Sequence, residues 1–251
     1  MTLVSYLEDV TNAPTTEALW DMHCRKMSEF GFTRIFYGRT NYRHGTSLGD
    51  PDDFVILTNH NKEYVDWFIR ESHYYHAPMV KWALENEGFA SWSIIKDMME
   101  SGLLTADELA VVQRNAQLNF TCGYTISFKS ISPRSKGAIA LTGHETMSQA
   151  EADKVWAKHG HELVVMNNVV HLKILTLPYT SPERGLTKRQ LEALHWVGDG
   201  KTTADVALLM GLTPATVEKH LRLAREVLNV ETTAQAVLKA AMLNQMYVVD
   251  Y

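Results

Sequence analysis

Apolar positions along the first 175 residues change their spacing several times, and each change marks an element. From Thr15 to Phe30 the apolar residues Leu19, Met22 and Met27 are separated by charges, and Gly31 follows, which predicts an amphipathic helix with a glycine stop. Thr33–Thr40, TRIFYGRT, and Phe54–Thr58, FVILT, read as strands. Lys62–Ser72 returns to helical spacing through Tyr64, Val65, Phe68 and Ile69. Pro78 suits the first turn of a further helix reaching about Glu87. Thr105 and Glu108 form a capping-box pattern that opens a helix to about Phe120. Tyr124–Ile131 and Gly137–Thr142 read as two strands joined around SPRSK. Ser148 and Glu151 make a second capping box, opening a long helix toward Leu175.

This order predicts an α+β fold: an N-terminal α/β/α sandwich, in which an antiparallel sheet is covered by helices, followed by an all-α domain with a helix-turn-helix. A covered sheet of this kind can hold an apolar pocket. The segment LPYTSPERG carries two prolines and a glycine and reads as a linker. The expected division is therefore 1–176, a linker 177–185, and 186–251.

The last segment has its own logic. Thr187 and Gln190 form a capping box, and Leu191, Leu194, Val197, Val206, Leu208 and Leu209 are expected to supply a small core. Gly211 marks a sharp turn, Thr213 an N-cap, and Pro214 the first position of the next helix. That helix carries Thr216, Lys219, His220, Arg222 and Arg225, and a fourth helix is expected from about Thr233 to Met246. Helix, tight turn and polar second helix is the arrangement that presents side chains to the DNA major groove.

Composition narrows the function. Apolar residues make up 45% of the 251 and charged residues 21%, which is globular rather than disordered. The net charge of -5 gives no general attraction to DNA, so a DNA contact must be local. Seven Lys/Arg (188, 189, 201, 219, 222, 225, 239) and seven Asp/Glu (192, 199, 205, 218, 226, 231, 250) cancel within 185–251. Cys24 and Cys122 form no metal or redox pattern, and MTLVSYLEDVTNAP lacks the basic start of a signal peptide. With no membrane-spanning apolar run, a cytoplasmic protein is expected. His159, His161 and His171 do not share a helix face, so surface histidines rather than a metal site are expected. No nucleophile–base pair, metal cluster or phosphate loop appears, so the chain does not read as an enzyme and no cofactor is expected.

Specific residues now carry a resemblance. GLTKRQLEALHWVGDGKTTADVALLMGLTPATVEKHL resembles the DNA-binding domain of the LuxR family through Leu186, Thr187, Arg189, Leu194, Gly200, Lys201, Thr202, Ala207, Gly211, Thr216, Val217 and His220. Departures are Gln190 for the usual glutamate, Val227 for a lysine, and Thr232–Thr233 for an asparagine–arginine pair. Fewer basic positions should weaken phosphate contacts. The resemblance implies DNA contacts from Lys201, Thr202, Thr213, Thr216, Glu218, Lys219, His220 and Arg222. Glu218 can accept from a cytosine amino group, Arg222 can donate twice to a guanine, and Lys219 can hold a phosphate.

Upstream, EYVDWFIRESHYYHAPMVKWALENEGFASW and KGAIALT resemble the autoinducer-binding domain of quorum-sensing regulators. A phosphorylated receiver is not expected, because FVILTN ends without the central aspartate. The resemblance implies a ligand pocket built from Phe36, Gly38, Tyr64, Phe68, Ala77, Pro78, Val80, Trp92, Ala138 and Ala140. In the family the places of Tyr64, Phe68, Ala77 and Ala140 carry polar groups for an acyl-homoserine lactone. Here Tyr64 keeps a donor, while Phe68 and Ala140 lose hydroxyls and Ala77 loses a carboxylate. Each buried amide group left without a partner costs about 1–3 kcal/mol. The expected ligand is therefore an acyl-homoserine lactone or a related signal with a less polar head group, unless His73, Tyr74, Tyr75 or His76 supplies the missing contact. The resemblance also implies a homodimer on a palindromic double-stranded operator, with the first helix and the long helix from Ser148 as dimer surfaces, and RNA polymerase as a further partner. A ligand-independent regulator whose own aromatic side chains fill the pocket stays open. So does an antagonist that forms heterodimers with a related receptor.

Overall fold

The computed structural model describes residues 2–130, 132–181 and 184–246. The chain divides into two compact units, 1–174 and 175–251.

The first unit is an α+β sandwich. Strands β1 (Phe32–Thr40), β2 (Val55–Thr58), β3 (Gly88–Ser91), β4 (Gly123–Ser127) and β5 (Lys136–Gly143) form one sheet in the order β2-β1-β5-β4-β3. Every neighbouring pair is antiparallel. β4 and β5 are adjacent, as the hairpin pattern predicts. Gly123 has a physical reason: a Cβ there would lie 2.2 Å from the Leu141 carbonyl oxygen.

One face of the sheet packs under α2 (Thr16–Ser28) and α7 (Gln149–Ile174), and α1 (Leu3–Thr11) packs against α7. Ile35, Tyr37, Ile139 and Leu141 are fully buried, together with Leu19, Met27, Leu163 and Met166 from the helices. A polar thread crosses this core. The Tyr6 hydroxyl lies 2.7 Å from His23 Nδ1, and His23 Nε2 lies 3.1 Å from Asn167 Oδ1. Asn167 Nδ2 donates to the Leu163 carbonyl, so its Oδ1 must accept. His23 therefore donates from Nε2 and accepts the Tyr6 hydroxyl at Nδ1, as a neutral ring. Burial lowers its pKa to about 4, against the opposing Asn167 bond.

The other face carries α3 (Lys62–Val65), α4 (Pro78–Glu85), α5 (Ser93–Glu100) and α6 (Ala106–Gln117). Both predicted capping boxes form. Thr105 and Glu108 exchange backbone bonds, and so do Ser148 and Glu151.

Several expectations need correction. Helix α1 has no counterpart in the sequence reading; only Tyr6 and Val10 of it are buried, so its apolar signal is two residues. Strand β3 and helix α5 were also not expected. β3 is four residues at the sheet edge, and pairing with β4 defines it. The helix from Lys62 widens after Val65, where the Glu71 amide bonds the Asp66 carbonyl. The strand expected to reach Ile131 ends at Ser127, and Ile131 lies outside the described residues. His171 is not a surface residue. It is buried, stacks on Phe128 at 4.0 Å, and meets the Tyr37 hydroxyl at 2.9 Å through Nδ1. Burial, with Arg39 nearby, lowers its pKa to about 4.

The second unit contains α8 (Lys188–Gly198), α9 (Thr203–Met210), α10 (Pro214–Leu228) and α11 (Thr233–Met242). Each begins after a threonine N-cap: Thr187, Thr202, Thr213 and Thr232. Leu194, Val206, Val217, Leu221 and Leu228 form its core. Leu208 and Leu209 do not belong to that core, being 83% and 50% exposed. α9 buries Val206, Ala207 and Met210, and at 100° per residue Leu208 and Leu209 fall on the opposite side.

Candidate ligand cavity and DNA-facing helix

Side chains alternate across a sheet, so even-numbered residues of β1 and β5 turn away from α7. There they meet a cavity of about 650 Å³. Its floor pairs Gly38 with Ala138 and Phe36 with Ala140 across the β1–β5 register. Thr125 of β4 lies opposite Ala140. Small residues on the floor leave room where larger ones would fill it. The walls include Tyr64, Phe68, Ala77, Pro78, Val80 and Trp92. All ten residues chosen from the sequence thus border one space.

The walls are largely aromatic. His60 stacks on Tyr64 at 4.7 Å, Tyr64 on Phe68 at 5.5 Å, and Phe36 meets Phe68 edge-on at 5.4 Å. Burial, helped by the Arg34 charge, lowers the His60 pKa to about 4, so this ring is neutral near pH 7. The Tyr64 hydroxyl donates to Asn115 Oδ1 at 3.2 Å, and burial raises its pKa. Trp92 Nε1 donates to Thr125 Oγ1 at 2.9 Å.

The two ends of the cavity differ. Leu48, Phe54, Phe68, Tyr74 and Ala77 are buried and close one end. Lys96, Met99, Gln113, Ala116, Thr121 and Ala150 border the other end and are exposed, so the cavity opens there between α5, α6 and the start of α7. Helix α5 buries none of its residues, although Ile95 and Met99 border the cavity. Gln149 and Asp153 at the start of α7 also border the cavity, and Asp153 is bonded to groups on the α7 side of β3 and β4. Asp153 Oδ1 accepts from Ser91 Oγ (2.8 Å), Tyr124 Oη (2.7 Å) and Gln149 Nε2 (2.9 Å). Burial raises the Asp153 pKa, but these bonds outweigh it and hold the carboxyl below its ordinary value. Of the four side chains named as substitutes for a lost head-group contact, Tyr74 borders the cavity, while His73 stacks on Trp67 at 4.6 Å.

The sequence reading missed His60, Phe120, Asn115, Gln149 and Asp153. Ile56 was also missed, yet it lies opposite Gly38, and strand alternation in FVILT carries that signal. The others come from two loops and from helices whose approach to the sheet has no local signature.

In the second unit Gly211 ends α9 with φ 65°, a left-handed turn, and α10 begins three residues later. α10 buries Val217, Leu221, Ala224 and Leu228. Ala215, Glu218, Lys219, Arg222 and Glu226 form its exposed stripe. Glu218 Oε1 accepts from Thr203 Oγ1 at 2.9 Å, and Arg222 pairs with Glu226. Lys201 and Lys219 are exposed and, among the described residues, in no ion pair. Thr202 is bonded within its capping box to Asp205, and Thr213 Oγ1 lies 2.9 Å from Thr216 Oγ1. His220 is half-buried. Lys239, one of the seven basic residues, is buried with Nζ on the Leu228 carbonyl at 2.7 Å, so it serves the end of α10 rather than a DNA surface.

Two family models match the chain: "Autoinducer binding domain" over residues 15–174 and "Bacterial regulatory proteins, luxR family" over 184–240. Among curated relatives, the transcriptional activator protein ExpR of Dickeya dadantii is 24% identical over 208 residues, 78% of each chain. The transcriptional activator protein AnoR of Acinetobacter nosocomialis is 43% identical over 58 residues, 23% of this chain and 24% of its own. Among solved structures, SdiA in complex with octanoyl-rac-glycerol aligns at a TM-score of 0.53 and 15% identity, covering 96% of this chain and 93% of that one.

Proposed function

The chain belongs to the LuxR family of bacterial transcriptional regulators, a family of DNA-binding regulators and not of enzymes, with an autoinducer-binding domain, and on that premise we propose that a neutral amphiphilic signal controls its binding, as a homodimer, to a palindromic operator. The signal's head group is less polar than that of an acyl-homoserine lactone. One observation carries this reading: the cavity of about 650 Å³ has an alanine, Ala77, where the resemblance calls for a carboxylate. Phe68 and Ala140 beside it add no polar atom. A volume of this size suits a small amphiphile. It also weighs against a pocket filled by its own aromatic side chains, because the aromatic run leaves the space open.

In this reading residues 1–176 sense the signal, 177–185 link, and 186–251 bind DNA. Ligand joins the sensor core and stabilises it by mass action. Lys201 and Lys219 meet phosphates. Thr202, Thr213, Thr216 and His220 position the helix, and Glu218 and Arg222 read bases once released from Thr203 and Glu226. The site of action is the cytoplasm, where the operator and RNA polymerase are; among the described residues no helix is long and apolar enough to cross a membrane.

The test is thermal unfolding of the full chain, purified from a host that makes no lactones, against neutral acyl amphiphiles and acyl-homoserine lactones of matched chain lengths. A rise of several degrees with a neutral amphiphile of one length, and less with the matched lactone, is expected. A soluble dimer that no amphiphile shifts, and that holds its operator unaided, would replace this reading with a ligand-independent regulator.

A further inference from the structure

Resting on the reading of the cavity as a signal site, we infer that Thr125 binds the signal's head group, and that this head group presents an acceptor oxygen, such as a ketone or ester carbonyl, to the Thr125 hydroxyl. Thr125 stands opposite Ala140 in the β4–β5 register, so it shares the cavity face with Ala140 and borders the cavity. Its chain neighbours Tyr124 and Ile126 stand opposite Leu141 and Ile139, on the filled face. Thr125 is 3% exposed, out of reach of bulk solvent. A threonine hydroxyl offers one proton and two lone pairs. Trp92 Nε1 takes one lone pair at 2.9 Å, and among the described residues no acceptor takes the proton. Trp92 is itself held, its backbone amide donating to the Gly123 carbonyl at 3.0 Å where β3 ends. An N–H arriving from one side turns the hydroxyl proton away from it. Thr125 is thus a buried, oriented donor in an apolar wall, and a buried donor gains most when an acceptor completes it.

The position agrees with the places that set the head group. On its other side Ala140 pairs with Phe36, and Phe36 meets Tyr64 and Phe68 edge-on. The serine that the resemblance implies at Ala140 would stand directly across from Thr125, a cross-strand pair within hydrogen-bond reach. Alanine there leaves the Thr125 proton to the ligand. A second donor borders the cavity: Asn115, whose Oδ1 takes the Tyr64 hydroxyl, has an Nδ2 that bonds none of the described residues. The Ala77 side chain offers no acceptor in return, so the head group needs an oxygen and no N–H.

The test uses the full chain and two probes of one shape: 2-decanone, and 2-methyl-1-decene, in which a methylene replaces the carbonyl oxygen. Affinity is read by calorimetry. Thr125→Val removes the hydroxyl and keeps the side-chain shape. It should weaken 2-decanone about tenfold, the size of one hydrogen bond, and leave the alkene within about twofold. Thr125→Ser should keep most of the ketone's affinity. In the wild-type protein the infrared carbonyl stretch of bound 2-decanone should lie below its frequency in hexane, and in Thr125→Val it should return to it. Equal effects of Thr125→Val on both probes, an unshifted stretch in the wild-type protein, or binding of other neutral amphiphiles but not of 2-decanone would overturn the assignment while leaving the cavity a signal site. The wild-type stretch decides alone if the valine variant does not fold. Failure of both probes to bind, with other neutral amphiphiles also inactive, would remove the signal reading and this inference together.

Discussion

Toward α2 and α7 the sheet presents Ile35, Tyr37, Ile139 and Leu141, all sealed from solvent; toward α4–α6 their chain neighbours Phe36, Gly38, Ala138 and Ala140 border a cavity of about 650 Å³. The same two strands make both faces, one residue apart. The first face is filled by large side chains and crossed by a fully satisfied polar thread, Tyr6–His23–Asn167. The second has Gly38, Ala138 and Ala140 on its floor beside Phe36, and further aromatic rings in its walls. Dense packing makes a core intolerant of lost volume, whereas a face that borders empty space has little to lose and room to gain a partner. Stability and recognition are thus divided between alternate residues of one sheet.

The largest effect should come from opening a hole on the filled face. Leu163→Ala should cost about 2–5 kcal/mol of unfolding free energy, measured by urea denaturation, because a fully buried side chain is removed from a packed site. A cost below about 1 kcal/mol would break the contrast between the faces.

Acid should act on both faces through histidine. His23 and His171 on the filled face, and His60 beside the cavity, have pKa values lowered to about 4 from 6.5. The fold prefers each ring neutral and the unfolded chain binds the extra proton. Stability is therefore complete above about pH 6.5, falls as pH drops below it, and goes on falling until about pH 4. At about 1.4 kcal/mol per unit, each ring accounts for about 2 kcal/mol between pH 7 and 5. His60→Phe should flatten the acid limb of a pH series of unfolding curves by that amount. An unchanged limb would show that the cavity wall admits water.

The smallest effect on stability should come from filling the cavity. Ala138→Leu adds volume where space exists, so unfolding free energy should change by less than about 1.5 kcal/mol. Signal affinity should nevertheless fall about tenfold or more, read as loss of the ligand-induced rise in melting temperature. A large loss of stability without ligand would mean that this floor is as tightly packed as the opposite one.

Local patterns made much of this legible. The capping boxes at Thr105, Ser148 and Thr187, the alternation in TRIFYGRT and KGAIALT, and the threonine–proline start of α10 are each complete within a few residues. Ten cavity residues were also within reach, because the resemblance to the autoinducer-binding domain, keyed on Pro78 and Trp92, implies them. His171 was misread because its burial is produced by Phe128 and Tyr37, both remote along the chain. Leu208 and Leu209 were misread because hydrophobicity alone does not say which side of α9 meets α10. Strand β3 exists through its partner β4 and not through its own four residues.

The sequence by itself determined where chains of local hydrogen bonds and apolar stripes begin and end, the two-unit order, and which chemical groups are absent from the expected pocket positions. Those properties depend on residues within a turn or two of one another. Only the tertiary structure decided that a cavity remains beside the sheet, which end of it is open, and which groups meet Asp153 on the other side. Ser91, Tyr124 and Gln149 come from β3, β4 and α7, and the distances that bring them to one carboxylate oxygen are fixed by the packing of whole elements. No spacing along the chain encodes them.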